Sequence, residues 1–309
     1  MRIAITIEGQ RGLTWQKWVK FAPMVEAMGF DGLYRSDHFF DAEPPDRESL
    51  ELWVSLAWLA DHTNRMEFGP LVTPFSFRHP VHTARMAKDL DILSRGRFVL
   101  GVGAGWGGGV REHEMFGFEL LSVAERFTRF EEGLEVVTRL LHTSQKVSFT
   151  GKYYRLKDAH FLPPASAQRK LPVLIGGNGK HKLLPLAARY ADEWNAIYRT
   201  PEQFKTLNEH LNQLLKTCGR KQSDVTRSQM LGMYLGTDQR DLNKVLADSD
   251  IDGLHKRGIL AGCSAQIIDQ LGRLSLAGVE KVIIQWQNPE DIRRLEHFAK
   301  EILPQAKNL

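Results

Sequence analysis

Cysteine is scarce: Cys218 and Cys263 are the only two in 309 residues, and their contexts are unrelated. A disulfide framework and a thiolate metal site are thereby excluded, and a reduced, cytoplasmic protein is expected. No apolar run approaches the roughly 18 residues of a membrane span, and the alternating start Met1-Arg2-Ile3-Ala4-Ile5-Thr6-Ile7 is too short for a signal peptide. No membrane partner is expected. Charge of one sign is not in excess either, since 41 Lys and Arg are interspersed with 37 Asp and Glu for a net +4, so nucleic acid is not an expected partner. A mildly positive field can still draw a small phosphate-bearing cofactor into a cleft. Repeats, low-complexity tracts and a dividing linker are missing, so residues 1–309 are expected to form one domain, a length that α/β barrels commonly use whole.

What is present is alternation of strand and helix signals. Buried strands are predicted at Ile3–Ile7, Gly32–Ser36, Met66–Val72, Phe98–Gly103, Pro172–Gly176, Glu193–Ile197, Gln229–Gly236 and Lys281–Gln285. Helix-period segments at 15–28 (capped by Thr14), 50–62, 81–94 and 126–142 are long enough for parallel crossovers. The expected fold is α/β, a single TIM-like (β/α)8 barrel. Insertions are expected after strand 4 (104–125) and strand 7 (236–263, without clear period), with a hairpin excursion before strand 5 (146–164).

Three strand ends share a hydrophobic body and a polar or glycine tip: Ser36-Asp37-His38, Gly103-Ala104-Gly105, and Gly176-Gly177-Asn178-Gly179. Glycine there clears backbone for a ligand, and the last tip precedes a helix predicted to start near Lys180, whose free N–H groups suit a phosphate. Asp37-His38 pairs a histidine with a carboxylate and can hold or pass a proton near neutral pH; a polar pair merely closing a loop is the plainer reading. Glu112-His113 is a second such pair, in the glycine-rich insertion. Gly69-Pro70-Leu71-Val72-Thr73-Pro74 ends the third strand with prolines that resist a regular ladder and predict a bulge. In Trp194-Asn195, alternation turns one side chain inward. Trp106, Trp286 and Phe39 either stack on a ligand or fill apolar space. No His-x-His ends the first strand, where Ile5-Thr6-Ile7-Glu8 stands, and no lysine ends any strand, which disfavours barrel metallohydrolase and Schiff-base chemistry. A borrowed redox cofactor suits such a site.

These residues resemble the luciferase-like monooxygenase superfamily, in its branch of coenzyme F420-dependent oxidoreductases. The resemblance runs nearly end to end, through Gly29-Phe30-Asp31-Gly32, Ser36-Asp37-His38-Phe39, Phe77-Arg78-His79-Pro80, Gly101-Val102-Gly103-Ala104-Gly105-Trp106, Ile175-Gly176-Gly177 and Ala187 to Asn195. It implies hydride exchange between F420 and a small organic substrate. His38 would assist proton movement, oriented by Asp37, and Glu112 is a further catalytic candidate. Ser36, Asp37, His38, Pro70, Leu71, Thr73, Gly103, Ala104, Gly105 and Asn195 would line the ring site, and Gly176, Gly177, Asn178 and Gly179 would receive the phosphate. A non-proline cis peptide maps onto Pro70 to Leu71, and a homodimer is implied. Deazaflavin sugar-phosphate dehydrogenases of this superfamily have a glutamate just after the Gly-x-Gly turn. Trp106 stands there in this chain and Glu112 comes later, so the resemblance does not assign the proton donor. The rival expectations are an FMN-dependent monooxygenase fed by a separate reductase, and a non-catalytic flavin or deazaflavin carrier.

Overall fold

The computed structural model describes residues 1–105, 107–163 and 170–309. The stacking role weighed for Trp106 and the end of the 146–164 excursion lie outside the described residues. The strands are β1 Arg2–Ile7, β2 Gly32–Arg35, β3 Glu67–Pro70, β4 Thr73–Pro74, β5 Leu100–Gly103, β6 Val147–Thr150, β7 Arg155–Ala159, β8 Val173–Gly176, β9 Glu193–Ile197, β10 Thr226–Leu235, β11 Leu260–Gly262 and β12 Lys281–Gln285. The main sheet runs β3-β2-β1-β12-β10-β9-β8-β5-β4, with β11 beside the end of β10. Its pairings are parallel.

β3 and β4 are two halves of one strand: β3 pairs with β2, β4 with β5, and a Phe68–Phe98 bridge closes the ring. Eight strands therefore form a TIM-like barrel, with helices in the crossovers. The two halves meet at a cis peptide between Leu71 and Val72, one bond beyond the expected Pro70–Leu71. The reason is the ladder: Leu71 N–H still donates to the Arg35 carbonyl at 2.7 Å, so the strand turns only after Leu71. Leu71 and Val72 then both join the barrel-interior cluster of Ala4, Tyr34, Val99, Leu174 and Ile283. The opposite parity, Ile3, Ile5 and Ile7 on β1, packs outward beneath the helices. Each such side chain contributes roughly 1.5–3 kcal/mol by leaving water.

Thr14 caps the helix Trp15–Ala27 through Lys17 N–H, as the sequence predicts. The helix after β8 begins at Leu183, later than expected, because Gly179-Lys180-His181-Lys182 form a turn first. The insertion after β5 contains a helix Val110–Phe116, and β6 and β7 form an antiparallel hairpin before β8. The aperiodic stretch 236–263 holds two short helices, Gln239–Leu246 and Ile251–Lys256, and then β11. Each helix buries one leucine, Leu242 or Leu254, which is too little to print a period on the sequence.

Candidate active site

Parallel register delivers every strand's C-terminal tip to one rim. Asp37 and His38 follow β2, Thr73 begins β4, Gly103 ends β5 with Ala104 and Gly105 beyond it, and Gly176 ends β8 before Gly177, Asn178 and Gly179. Asp37 and Asn178 thus share one end of the barrel.

At the β2 tip, His38 Nδ1 lies 2.8 Å from Glu112 Oε1, while Glu112 Oε2 accepts the Phe39 N–H at 2.9 Å. Glu112 is 3% exposed, so a carboxylate from the insertion helix is buried against the histidine. Burial alone lowers the His38 pKa; the hydrogen bond and charge of Glu112, with Glu8 and Asp37, outweigh it, and the net shift is upward. Phe39 packs against Phe77, Phe116 and Phe118, pinning that helix onto the β2 tip rather than presenting a ring to a ligand. His113 turns away, its Nδ1 on the Gly109 carbonyl.

The expected orientation of His38 by Asp37 is not what the structure has. Asp37 Oδ2 accepts from Thr73 Oγ1 and from Arg78, each at 2.5 Å, and Arg78 reaches on to Glu51. Asp37 therefore ties β2 to β4, and Glu112 holds the imidazole. Ser36 Oγ donates to Gln10 Oε1 and accepts from Gly9 N–H.

The glycines serve two purposes. A Cβ on Gly69 would meet the Val99 carbonyl at 1.9 Å and one on Gly101 the Pro70 carbonyl at 2.0 Å, so these two allow the kinked third strand to approach β5. Val72 fills the space at Gly103 and Gly176, 2.6 and 3.0 Å from their Cβ positions. Beside these tips, clearance is for a neighbouring side chain. At Gly105 it is different: φ is +84° and the nearest atoms, Ser76 Oγ and the Arg126 guanidinium, stand 3.9 Å from a Cβ position. Among the described residues, Ser76 Oγ and Arg126 Nε are buried without a hydrogen-bond partner.

The β8 tip adjoins this place, since β5 and β8 are paired. Lys182 Nζ sits over the Phe127 ring, next to Arg126. The Asn178 side chain is committed to both the N–H and the carbonyl of Ile197, so the turn offers backbone rather than that amide. Asn195 points inward and donates to Ser228 Oγ; Trp194 is the outward residue, stacked on Phe204. Buried orphan donors, a cation and an open backbone turn fit a phosphate.

Sequence reading missed Glu8, which it took only as a position lacking histidine. Glu8 accepts from Gln285 Nε2 at 2.6 Å and Gln10 Nε2 at 3.0 Å. Burial pushes its carboxyl up, but these bonds, with Ser36 and the charge of His38, hold it below the ordinary range. Its signal was parity: a polar residue ending an apolar strand at the inward position.

Residues 2–281 match the luciferase-like monooxygenase family, and the chain belongs to it. An F420-dependent glucose-6-phosphate dehydrogenase of Amycolatopsis mediterranei is 25% identical over 94% of both chains. An F420-dependent hydroxymycolic acid dehydrogenase of Mycobacterium tuberculosis is 31% identical over 61% of this chain and 51% of its own. Among solved structures, an F420-dependent secondary alcohol dehydrogenase in complex with an F420-acetone adduct superposes with a TM-score of 0.86 at 18% identity, covering 99% of this chain and 98% of the other. A monooxygenase from Streptomyces bottropensis gives 0.81 at 20% identity, covering 98% and 99%. At those identities the structures establish the fold.

Proposed function

We propose that the protein is an F420-dependent oxidoreductase exchanging a hydride between the deazaflavin and an organic alcohol or carbonyl. The observation that carries this reading is the part-buried His38 held by the buried Glu112, on the same rim as Gly105 and Arg126 and the turn from Gly177 to Lys182. When bound, F420 supplies two-electron hydride chemistry. Arg126, Ser76 and the turn from Gly177 to Lys182 would hold its phosphate, beside Val72, which fills the space at Gly103 and Gly176. The work left to the chain is orientation and one proton. Held by Glu112 at Nδ1, His38 exchanges that proton with the substrate oxygen. The named relatives support the choice of F420 over FMN. The reading extends to a cytoplasmic homodimer, whose mass sedimentation velocity checks; among the described residues no helix is long and apolar enough to cross a membrane.

Fluorescence titration with F420 and with FMN tests the reading directly. F420 is expected to bind tightly, and FMN uptake without a response to F420 overturns it. Replacing Arg126 with alanine should raise the F420 dissociation constant by roughly tenfold to a hundredfold with kcat little changed, since a hydrogen bond to a charged group contributes about 1.5–3 kcal/mol.

The pH profile follows from the His38 shift. Alcohol oxidation needs neutral imidazole, so kcat/KM rises with pH through an inflection above the ordinary imidazole range; carbonyl reduction falls through the same inflection. Glu112→Gln removes the largest raising influence and leaves burial, so the inflection moves down. An unmoved inflection would show that another group titrates.

A further inference from the structure

We propose that the substrate sits between the tips of β10 and β12 and is an uncharged alcohol or ketone, not a phosphorylated sugar; this rests on the oxidoreductase reading above. A cavity of about 380 Å³ opens there, walled by Tyr198, Met233, Leu235, Val245, Ile259 and Trp286. Gly232 and Gln285 are register partners on its barrel side. Gln285 links the cavity to the rim: its amide donates to Glu8, and Tyr198 O–H donates to its Oε1. The volume suits a small organic molecule.

This is where β/α barrels frequently take a phosphate, after strands seven and eight. Here the place is apolar, and its cation is already spent. Arg294 lies 3.3 Å from Asp241 Oδ2 and also pairs with Asp291, so two carboxylates answer one guanidinium and the triad carries a formal charge of −1. Hydrogen bonds from Thr237 and Arg294 keep the Asp241 carboxyl below its usual range. In the next cleft Arg11 is paired with Asp41 and Lys17 with Glu290. Arg47 is exposed and, among the described residues, without an ion pair, but Glu8 shares that cleft. A dianion meets a net charge of −1 at the first position and, at the second, three cations already balanced by Asp41, Glu290 and Glu8, so neither offers it a surplus of positive charge. A neutral substrate meets aromatic and aliphatic walls with glutamine amides at the mouth.

In the oxidising direction the carbinol C–H bond breaks and its hydride goes to oxidised F420. The O–H proton goes to His38, and the C–O bond becomes C=O.

The test uses the F420-loaded enzyme with 2-propanol, cyclohexanol and glucose 6-phosphate, following loss of the deazaflavin fluorescence. We expect kcat/KM for a neutral alcohol to exceed that for the sugar phosphate by about a hundredfold or more. Gly232→Val supplies a second arm: its Cβ would lie 3.4 Å from the Tyr198 ring and 3.6 Å from Ile259, ordinary contact, so the fold is kept while the methyls enter the cavity. KM for cyclohexanol should rise about tenfold with that for 2-propanol little changed. Three outcomes overturn the proposal: glucose 6-phosphate used as well as the alcohols, a Gly232→Val enzyme indifferent to alcohol size, or alcohols that neither react nor raise the melting temperature. Failure to bind F420, read separately by titration, would overturn the oxidoreductase reading instead.

Discussion

His38→Ala is expected to lower kcat by about a hundredfold to ten-thousandfold, the usual range for a positioned acid or base, while F420 affinity stays near wild type. The split is the informative part. The proposed phosphate cradle draws on β5, β8 and the helix Val123–His142, whereas His38 stands at the tip of β2, so truncating the imidazole takes nothing from those elements. Glu112→Ala should cost turnover too, but through a different route: it leaves the imidazole unheld and strips the Phe39 N–H of its acceptor. Glu112→Gln keeps the side chain's shape and one of its two acceptor oxygens while removing the charge, so it should recover part of the activity at a pH shifted downward. Asp37→Asn acts elsewhere, on the Thr73 and Arg78 contacts that join β2 to β4. If His38→Ala weakened F420 binding as much as it slowed turnover, the histidine would be a cofactor ligand and the proton would belong to another group.

The barrel was legible because its chemistry repeats. Three apolar strands end in glycine or a polar residue, and helices of ordinary amphipathic length intervene, so those three tips could be placed on one rim without knowing any distance. Partnership across the rim was not legible. Glu112 lies far along the chain from His38 and reaches it only because an aromatic cluster anchors its helix, whereas Asp37 is adjacent in sequence and points to β4. Adjacency suggested the wrong orienting carboxylate. The glycines misled in a related way: at Gly101, Gly103 and Gly176 the missing side chain makes room for Pro70 or Val72, a consequence of the Leu71–Val72 kink that no local pattern records. Ser76 and Arg126 carry no motif at all, and only Ser76 Oγ and Arg126 Nε, buried near Gly105 without a partner among the described residues, mark them.

At the opposite end of the barrel, Lys281→Ala should destabilise the fold by about 3–5 kcal/mol and leave the site intact. Lys281 begins β12 at an inward position and is 1% exposed. Its Nζ lies 2.6 Å from Glu193 Oε2, 2.9 Å from the Tyr34 hydroxyl and 3.2 Å from Glu67 Oε2, while Arg2 reaches Glu67 at 2.9 Å. Burial alone depresses the ammonium pKa, but Glu193, Tyr34 and Glu67 together raise it. Removing the lysine strands the Glu193 carboxylate, itself 5% exposed, inside the barrel. The loss is therefore mostly the penalty on what is left behind, and pairing Lys281→Met with Glu193→Leu should recover much of it. Because the folded-state pKa lies above the unfolded one, the lysine's contribution is full at and below neutral pH and declines only as pH rises through that raised value. Urea unfolding followed by tryptophan fluorescence reads the effect, and F420 titration of the still-folded variant reads the site. The parallel sheet separates the two ends: charge at the strand starts closes the barrel, and chemistry is confined to the strand tips. A Lys281→Ala enzyme of unchanged stability but impaired turnover would break that division.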